Sequence, residues 1–239
     1  MILYMIRHGE PDYKEDTLLP SGRYQAERVS LRLVRSGVDR IYSSPMGRAQ
    51  ETAAPTAEKL GLPVTILPWA KELQQETYTH FPDGELKRLS AIKGTYWMAP
   101  ERRSLPLEEL RKDPAVADTH FPERYREIAE GLDGLLLENG YRRTEEGFYL
   151  PEAPNDDHIA LFCHVGMLRV MLSRLLNVPF QAFNYTFISN YTGVTVFCFP
   201  GKEAGVPFVP RMISYGDVGH MYFDGKDDPV VSYATEEAF

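Results

Sequence analysis

The feature that most constrains this chain is its alternation of short, unbroken apolar runs with longer segments of helical spacing. Ile2 to Ile6 is a continuous apolar run, too short for a helix and of the kind expected for a parallel strand covered on both faces. After a polar loop, Pro20-Ser21-Gly22 opens a segment whose apolar residues (Tyr24, Ala26, Val29, Leu31, Leu33, Val34) keep helical spacing up to Gly37. Arg40 to Ser43 reads as a second strand, Gly47 to Leu60 as a helix stopped by Gly61, and Val64 to Leu67 as a third strand. This βαβαβ order predicts a doubly wound α/β sheet.

From about residue 74 to 157 the alternation breaks. That stretch is rich in prolines and charges, holds one long helix from Glu123 to Leu137, and reads as an insertion or cap within a single domain spanning 1–239. The α/β pattern then resumes with a strand at Ile159 to Cys163, a helix from Gly166 to Leu176, and β-rich runs at Val194 to Phe199 and Val206 to Tyr215.

At 239 residues the chain is long enough to bury a sizeable core. Its formal net charge of −8 argues against nucleic acid or an acidic membrane surface as a partner, because the overall field repels polyanions. A small anion is not excluded, since a few arginines can dominate a pocket. Cys163 and Cys198 both lie inside apolar runs and read as buried small hydrophobes rather than a disulfide framework, which favours a reducing compartment. No signal peptide is evident at the N-terminus and no run approaches the length of a membrane span, so the expectation is a cytoplasmic protein.

In an open α/β sheet, ligands bind beyond the carboxyl ends of the strands. Three predicted strand ends carry notable residues: Arg7-His8-Gly9-Glu10; Ser43-Ser44-Pro45, with Arg48 shortly after; and Cys163-His164-Val165-Gly166. Two arginines can clamp phosphate oxygens with their planar forks. A histidine of ordinary pKa offers a nucleophilic nitrogen at neutral pH. Gly9 and Gly166 would let backbone N–H groups approach the anion, and the helix opening at Gly166 would add its positive end. Together these suit a phosphoryl group.

The ordered set Arg7-His8-Gly9-Glu10, then Ser44-Pro45 with Arg48, Ala49, Thr52 and Ala53, then His164, resembles the histidine phosphatase superfamily, also called the phosphoglycerate mutase-like family. Leu18 to Ala26 is similar to the family's "LT..G..QA" segment. Asn190 to Val196 and Asp217-Val218-Gly219-His220 are similar to its late "N.S.T" and "ND..H" pieces. The resemblance implies a three-layer α/β/α sandwich with a mostly parallel central sheet and an inserted cap. It also implies a histidine acid phosphatase-type phosphomonoesterase that needs no metal or cofactor and acts on a small phosphorylated metabolite. His8 would be the phosphate-accepting nucleophile, with Arg7, Arg48 and His164 forming the phosphate pocket. The family's proton-donating glutamate follows the third strand, which points to Glu72, with Glu76 four residues on as the alternative.

The chain departs from the family in having Val165 where glycine is common and Pro11 where a small polar residue is common, which leaves a further phosphate contact to Tyr13 or Thr17. His80, His120 and His158 show no metal-ligand spacing and read as structural or solvent-facing; His220 would orient the site from the C-terminal segment if the resemblance extends that far. Lys87-Arg88 and Arg102-Arg103 read as solvated faces of the cap, and Tyr78, Phe81, Tyr96 and Trp97 as its core. Two other functions stay open: phosphoglycerate mutase-type transfer, although no "ERHYG" piece follows the acid, and a phosphate-binding module without turnover. Oligomeric state is open as well.

Overall fold

A computed structural model of the chain describes residues 1–74, 78–80 and 86–222. Its centre is a six-stranded sheet built from β1 (Ile2–Arg7), β2 (Arg40–Ser43), β3 (Val64–Ile66), β4 (His158–Cys163), β5 (Val194–Cys198) and β6 (Arg211–Asp217). The spatial order is β6-β5-β1-β4-β2-β3. β1, β4, β2 and β3 run parallel, while β5 is antiparallel to β1 and β6 to β5.

Alternation along the strands divides the core into two. Leu3 and Met5 of β1 and Ile159, Leu161 and Cys163 of β4 face one side, where they pack with α3 (Phe121–Glu138) and α4 (Val165–Leu176). Tyr4, Ile6, Ala160 and Phe162 face the other, against α1 (Pro20–Arg35) and α2 (Gly47–Leu60). A strand sandwiched in this way must be apolar at every position, which is why β1 and β4 read as unbroken runs. The result is a three-layer α/β/α sandwich.

The predicted element bounds agree with the structure to within a residue or two in most cases. α2 ends at Leu60 because Gly61 takes a left-handed conformation, φ +65°, and its N–H closes on the Ala57 and Glu58 carbonyls. The Val206 to Tyr215 strand is an exception. β6 begins only at Arg211, since Pro207 and Pro210 have no N–H to donate, and a single bridge at Phe208 to Tyr149 is all that forms before it. Cys198 is half-buried at the end of β5 rather than buried, whereas Cys163 is fully buried and its thiol is held protonated by that burial; both are free.

Within the 74–157 stretch, α3 is built into the sandwich, with Ile128, Leu132, Leu135 and Leu136 in the same core cluster as β1. Ahead of it lie two one-turn helices, Gly94–Trp97 and Leu107–Leu110. Trp97 is buried there against Tyr96 and Tyr185, and Arg102 is held by Asp113 and Glu101 beneath the Tyr96 ring, so these aromatics and this arginine do structural work. Phe81 lies outside the described residues. No helix among the described residues is long and apolar enough to cross a membrane.

Candidate active site

Because β1, β2 and β4 are parallel neighbours, their carboxyl ends open on one edge of the sheet. That edge brings together Arg7 and His8 after β1, Ser44 and Arg48 after β2, and His164 after β4. The His8 and His164 rings lie 5.2 Å apart, centroid to centroid. Both are almost wholly buried, as are the two arginines.

The His8 side chain has one hydrogen bond: Nδ1 lies 2.7 Å from the Gly9 carbonyl. A carbonyl only accepts, so Nδ1 carries the proton. Burial, reinforced by the Arg7 and Arg48 charges, drives the His8 pKa well below 6.5 against the opposing pull of that carbonyl. At neutral pH His8 is therefore a neutral imidazole with a bare Nε2 lone pair. His164 is held neutral in the same way, by burial first and then by His8, Arg48 and Arg7. Its Nε2 meets the Ser44 hydroxyl at 2.7 Å, and its Nδ1 is buried without a partner.

The arginines are anchored from behind. Arg7 donates from NH1 to the Ser189 carbonyl and stacks under the Tyr191 ring at 4.3 Å, while its Nε is buried and unpaired. Arg48 pairs with Asp16, which also accepts the Gly47 N–H at the start of α2, and its Nε is likewise buried and unpaired. Buried N–H groups without acceptors are costly and uncommon. Here Arg7 Nε and Arg48 Nε are in that condition and His164 Nδ1 is a further buried nitrogen without a partner; all three belong to residues whose charges or rings act on His8. Such a cluster is suited to the oxygens of a tetrahedral anion set before the His8 Nε2.

Two sequence expectations take a different form. The Gly9 amide does not point to a ligand; it donates to Thr52 Oγ1 at 3.0 Å. Gly9 is needed for packing instead, since a Cβ there would lie 2.6 Å from the Gly22 carbonyl oxygen where α1 begins. The amides at the start of α4 are also taken. Gly166 and Met167 donate to the Glu72 carboxylate at 3.1 and 3.0 Å, and Leu73 donates to it at 2.8 Å. The anion at this helix start is thus a side chain of the protein, and the fold carries Glu72 to within two residues of His164. The segment leading to Glu72 is tied down by buried Arg124 of α3, which donates to the Trp69 and Lys71 carbonyls. Glu76 lies outside the described residues.

Tyr13 is exposed and lies over the Arg48 guanidinium, 5.5 Å away, while Thr17 sits in a two-residue ladder with Asp12. His80 and His120 are exposed, and His158 binds the Ser36 carbonyl on the far side of the sheet. His220 is buried, and its Nε2 lies 3.0 Å from Thr192 Oγ1. Thr192 itself has φ +53°, a left-handed conformation that costs a β-branched residue about 1–3 kcal/mol. Among the described residues, no group of three or more His, Cys, Asp or Glu side chains is placed to hold a metal ion.

Asp16, Ser189, Tyr191 and Thr192 were not assigned roles from the sequence. The late motif from Asn190 to Val196 contains Tyr191 and Thr192 without showing what they do, and Ser189 stands just before it. Asp16 had no such signal.

Known proteins resemble this chain in sequence and in fold. The family model of the histidine phosphatase superfamily (branch 1) matches residues 3–207. A Hydrogenobacter thermophilus protein with the provisional name phosphoserine phosphatase 2 is 27% identical over 151 residues, 57% of this chain and 69% of its own length. A Yersinia pestis protein provisionally named as a phosphoglycerate mutase is 26% identical over 196 residues, 75% of this chain and 77% of its own. Among solved structures, a phosphoserine phosphatase from Entamoeba histolytica, in complex with phosphoserine, superposes with a TM-score of 0.61 at 20% identity, covering 92% of this chain and 98% of that one. The fold is the same, and the family match spans the strand ends that carry His8, Arg48 and His164: the chain belongs to the histidine phosphatase superfamily, branch 1.

Proposed function

We propose that the protein hydrolyses phosphomonoesters of small metabolites through a phosphohistidine on His8, without a metal ion. The observation that carries this reading is the fixed tautomer of His8, which leaves a neutral, bare Nε2 at the sheet edge it shares with Arg7, Arg48 and His164, whose Nε, Nε and Nδ1 are buried and unpaired. Nε2 attacks phosphorus in line, the N–P bond forms and the ester P–O bond breaks. As the ester enters, Glu72 gives up its amide contacts and takes a proton from solvent, and the leaving oxygen then takes that proton from it. Glu72, now a carboxylate, then takes a proton from water, whose oxygen attacks phosphorus; the N–P bond breaks and inorganic phosphate leaves. The two guanidiniums supply the positive charge, and they and neutral His164 the donors, that meet the charge spread over the three equatorial oxygens.

The test is hydrolysis of para-nitrophenyl phosphate from pH 5 to 8 in EDTA, with wild type and His8→Ala side by side. Turnover in the first and none in the second is expected. Loss of wild-type activity on chelation, or persistence in His8→Ala, refutes the reading. Phosphoglycerate mutase-type transfer is supported by the Yersinia relative. Interconversion of 2- and 3-phosphoglycerate that outpaces phosphate release would favour it. Stabilisation by vanadate with no ester cleaved would favour a binding module instead.

A further inference from the structure

The loop from Ser189 to Gly193 forms the floor beneath the β1 carboxyl end. The Ser189 carbonyl holds the Arg7 guanidinium and the Tyr191 ring covers it. Thr192 N–H donates to the His8 carbonyl at 3.3 Å, and the Gly193 carbonyl accepts the Arg7 N–H at 3.2 Å. Both residues at the end of β1 therefore take their position from this loop. The loop depends on Thr192 staying left-handed, which nothing in a threonine favours and which the surroundings must impose.

The Thr192 hydroxyl shows what imposes it. Oγ1 lies 2.8 Å from the Tyr191 carbonyl, which can only accept, so the hydroxyl proton goes there. Oγ1 is then the acceptor for His220, whose Nε2 must carry the proton. His220 is itself fixed from α1, because Arg28 Nε donates to its backbone carbonyl at 3.2 Å and Arg32 pairs with Asp217 three residues before it. A continuous chain of contacts thus runs from α1 through the Gly219–Tyr222 turn to the backbone of His8.

We infer that His220 is a positioning residue for the His8 nucleophile: its Nε2–H locks Thr192 in the conformation that aligns the β1 end, and it never touches the substrate. The inference rests on the reading that His8 is the nucleophile. Misplacement of a reacting nitrogen by a fraction of an ångström acts on the chemical step; Arg7, held by the same loop, shifts with it, while Arg48 and His164, held by other elements, keep most of the binding of the phosphoryl group.

Four variants test it with para-nitrophenyl phosphate: His220→Leu, which fills the space without a donor; His220→Gln, whose side-chain amide restores an N–H at the Nε2 position; Thr192→Val, which removes the acceptor; and the His220→Leu/Thr192→Val double variant. The expected result is a fall in kcat of at least about tenfold in His220→Leu and Thr192→Val with KM within about threefold of wild type. His220→Gln should stay within about threefold of wild-type kcat, and the double variant should be no worse than either single, because both cut one link. A folded His220→Leu protein with wild-type kcat overturns the inference, as does a double variant whose losses multiply. If His220→Leu fails to fold, Thr192→Val decides alone: unchanged kcat there refutes the chain. His8→Ala run in parallel separates the two readings. If it stays active, the nucleophile is misassigned; if it is inactive while the Thr192 and His220 variants match wild type, only the positioning role fails.

Discussion

Gly9→Ala tests the packing on which the site geometry depends. An added Cβ would stand 2.6 Å from the Gly22 carbonyl oxygen and 3.2 Å from Gly22 C and Cα, all of them backbone atoms at the first turn of α1. Ordinary contact begins near 3.4 Å, so the two backbones must part by about 0.8 Å. No side chain can swing aside to absorb this. Overpacking of that kind costs about 2 kcal/mol, which for a domain of this size lowers Tm by roughly 4–8 °C. The displaced residue is the one whose carbonyl fixes the His8 tautomer and whose N–H is held by Thr52. Misaligned nucleophiles lose about 10²-fold in rate, and kcat should fall on that scale. The assay is thermal unfolding followed by circular dichroism, with para-nitrophenyl phosphate kinetics on the same sample. A Gly9→Ala protein with wild-type Tm and wild-type kcat would show that β1 and α1 do not meet as described, and the argument for the tautomer would go with it.

Arg48→Lys keeps the charge but loses the fork that serves Asp16 and the phosphoryl group together, so kcat/KM for para-nitrophenyl phosphate should drop by about 10–100-fold; a drop of less than twofold would count against bidentate use of Arg48. Stability should also depend on pH through His220, whose pKa burial lowers from 6.5 to about 4. Above pH 6.5 neither the folded nor the unfolded chain carries a proton there. As pH falls from 6.5 to 4 the unfolded chain takes one up and the folded chain resists, so about 3 kcal/mol is lost across that window. Buried His8 and His164, shifted the same way, add to the slope. Urea unfolding at a series of pH values measures it, and a His220→Gln protein with an undiminished slope would refute the assignment.

The sandwich was largely legible in the sequence because its physics is local. β1 and β4 are covered on both faces and must be apolar throughout, and α2 stops where Gly61 permits a left-handed turn. That His8, Arg7, Arg48 and His164 meet at one edge was legible for a related reason: each lies at or just past the end of a strand whose direction the pattern gives. What escaped is non-local and runs through the backbone. Nothing in the spacing of Glu72 and Gly166 says that a carboxylate reaches the amides of a helix 94 positions on, so the helix start was assigned to the substrate. Ser189 and Gly193 act through carbonyl oxygens, which every residue possesses and no motif records. Asp16 lies in an irregular loop, where periodicity carries no information. The β-rich reading of Val206 to Pro210 failed on a local rule, the missing proline donors, which composition outweighed.

The electrostatics of the pocket tie these pieces to one cause. A histidine that attacks phosphorus must be neutral, and a pocket that holds a phosphoryl group must be positive; in water the two demands are independent. On the proposed reading Arg7 and Arg48 meet both, since the charges that would suit phosphate oxygens also keep a proton off the His8 Nε2. Burial sharpens each effect by removing water that would screen it. The Gly9 carbonyl pulls the other way, favouring the charged ring, yet it holds the remaining proton on Nδ1 and so determines which nitrogen is bare. The residue that supplies that carbonyl is fixed by Thr52 and Gly22, neither of which has any chemistry of its own in the proposed reaction. On that reading, reactivity at one nitrogen is a property of the way β1, α1 and α2 pack, and it is at those contacts that neutral-looking substitutions will be least tolerated.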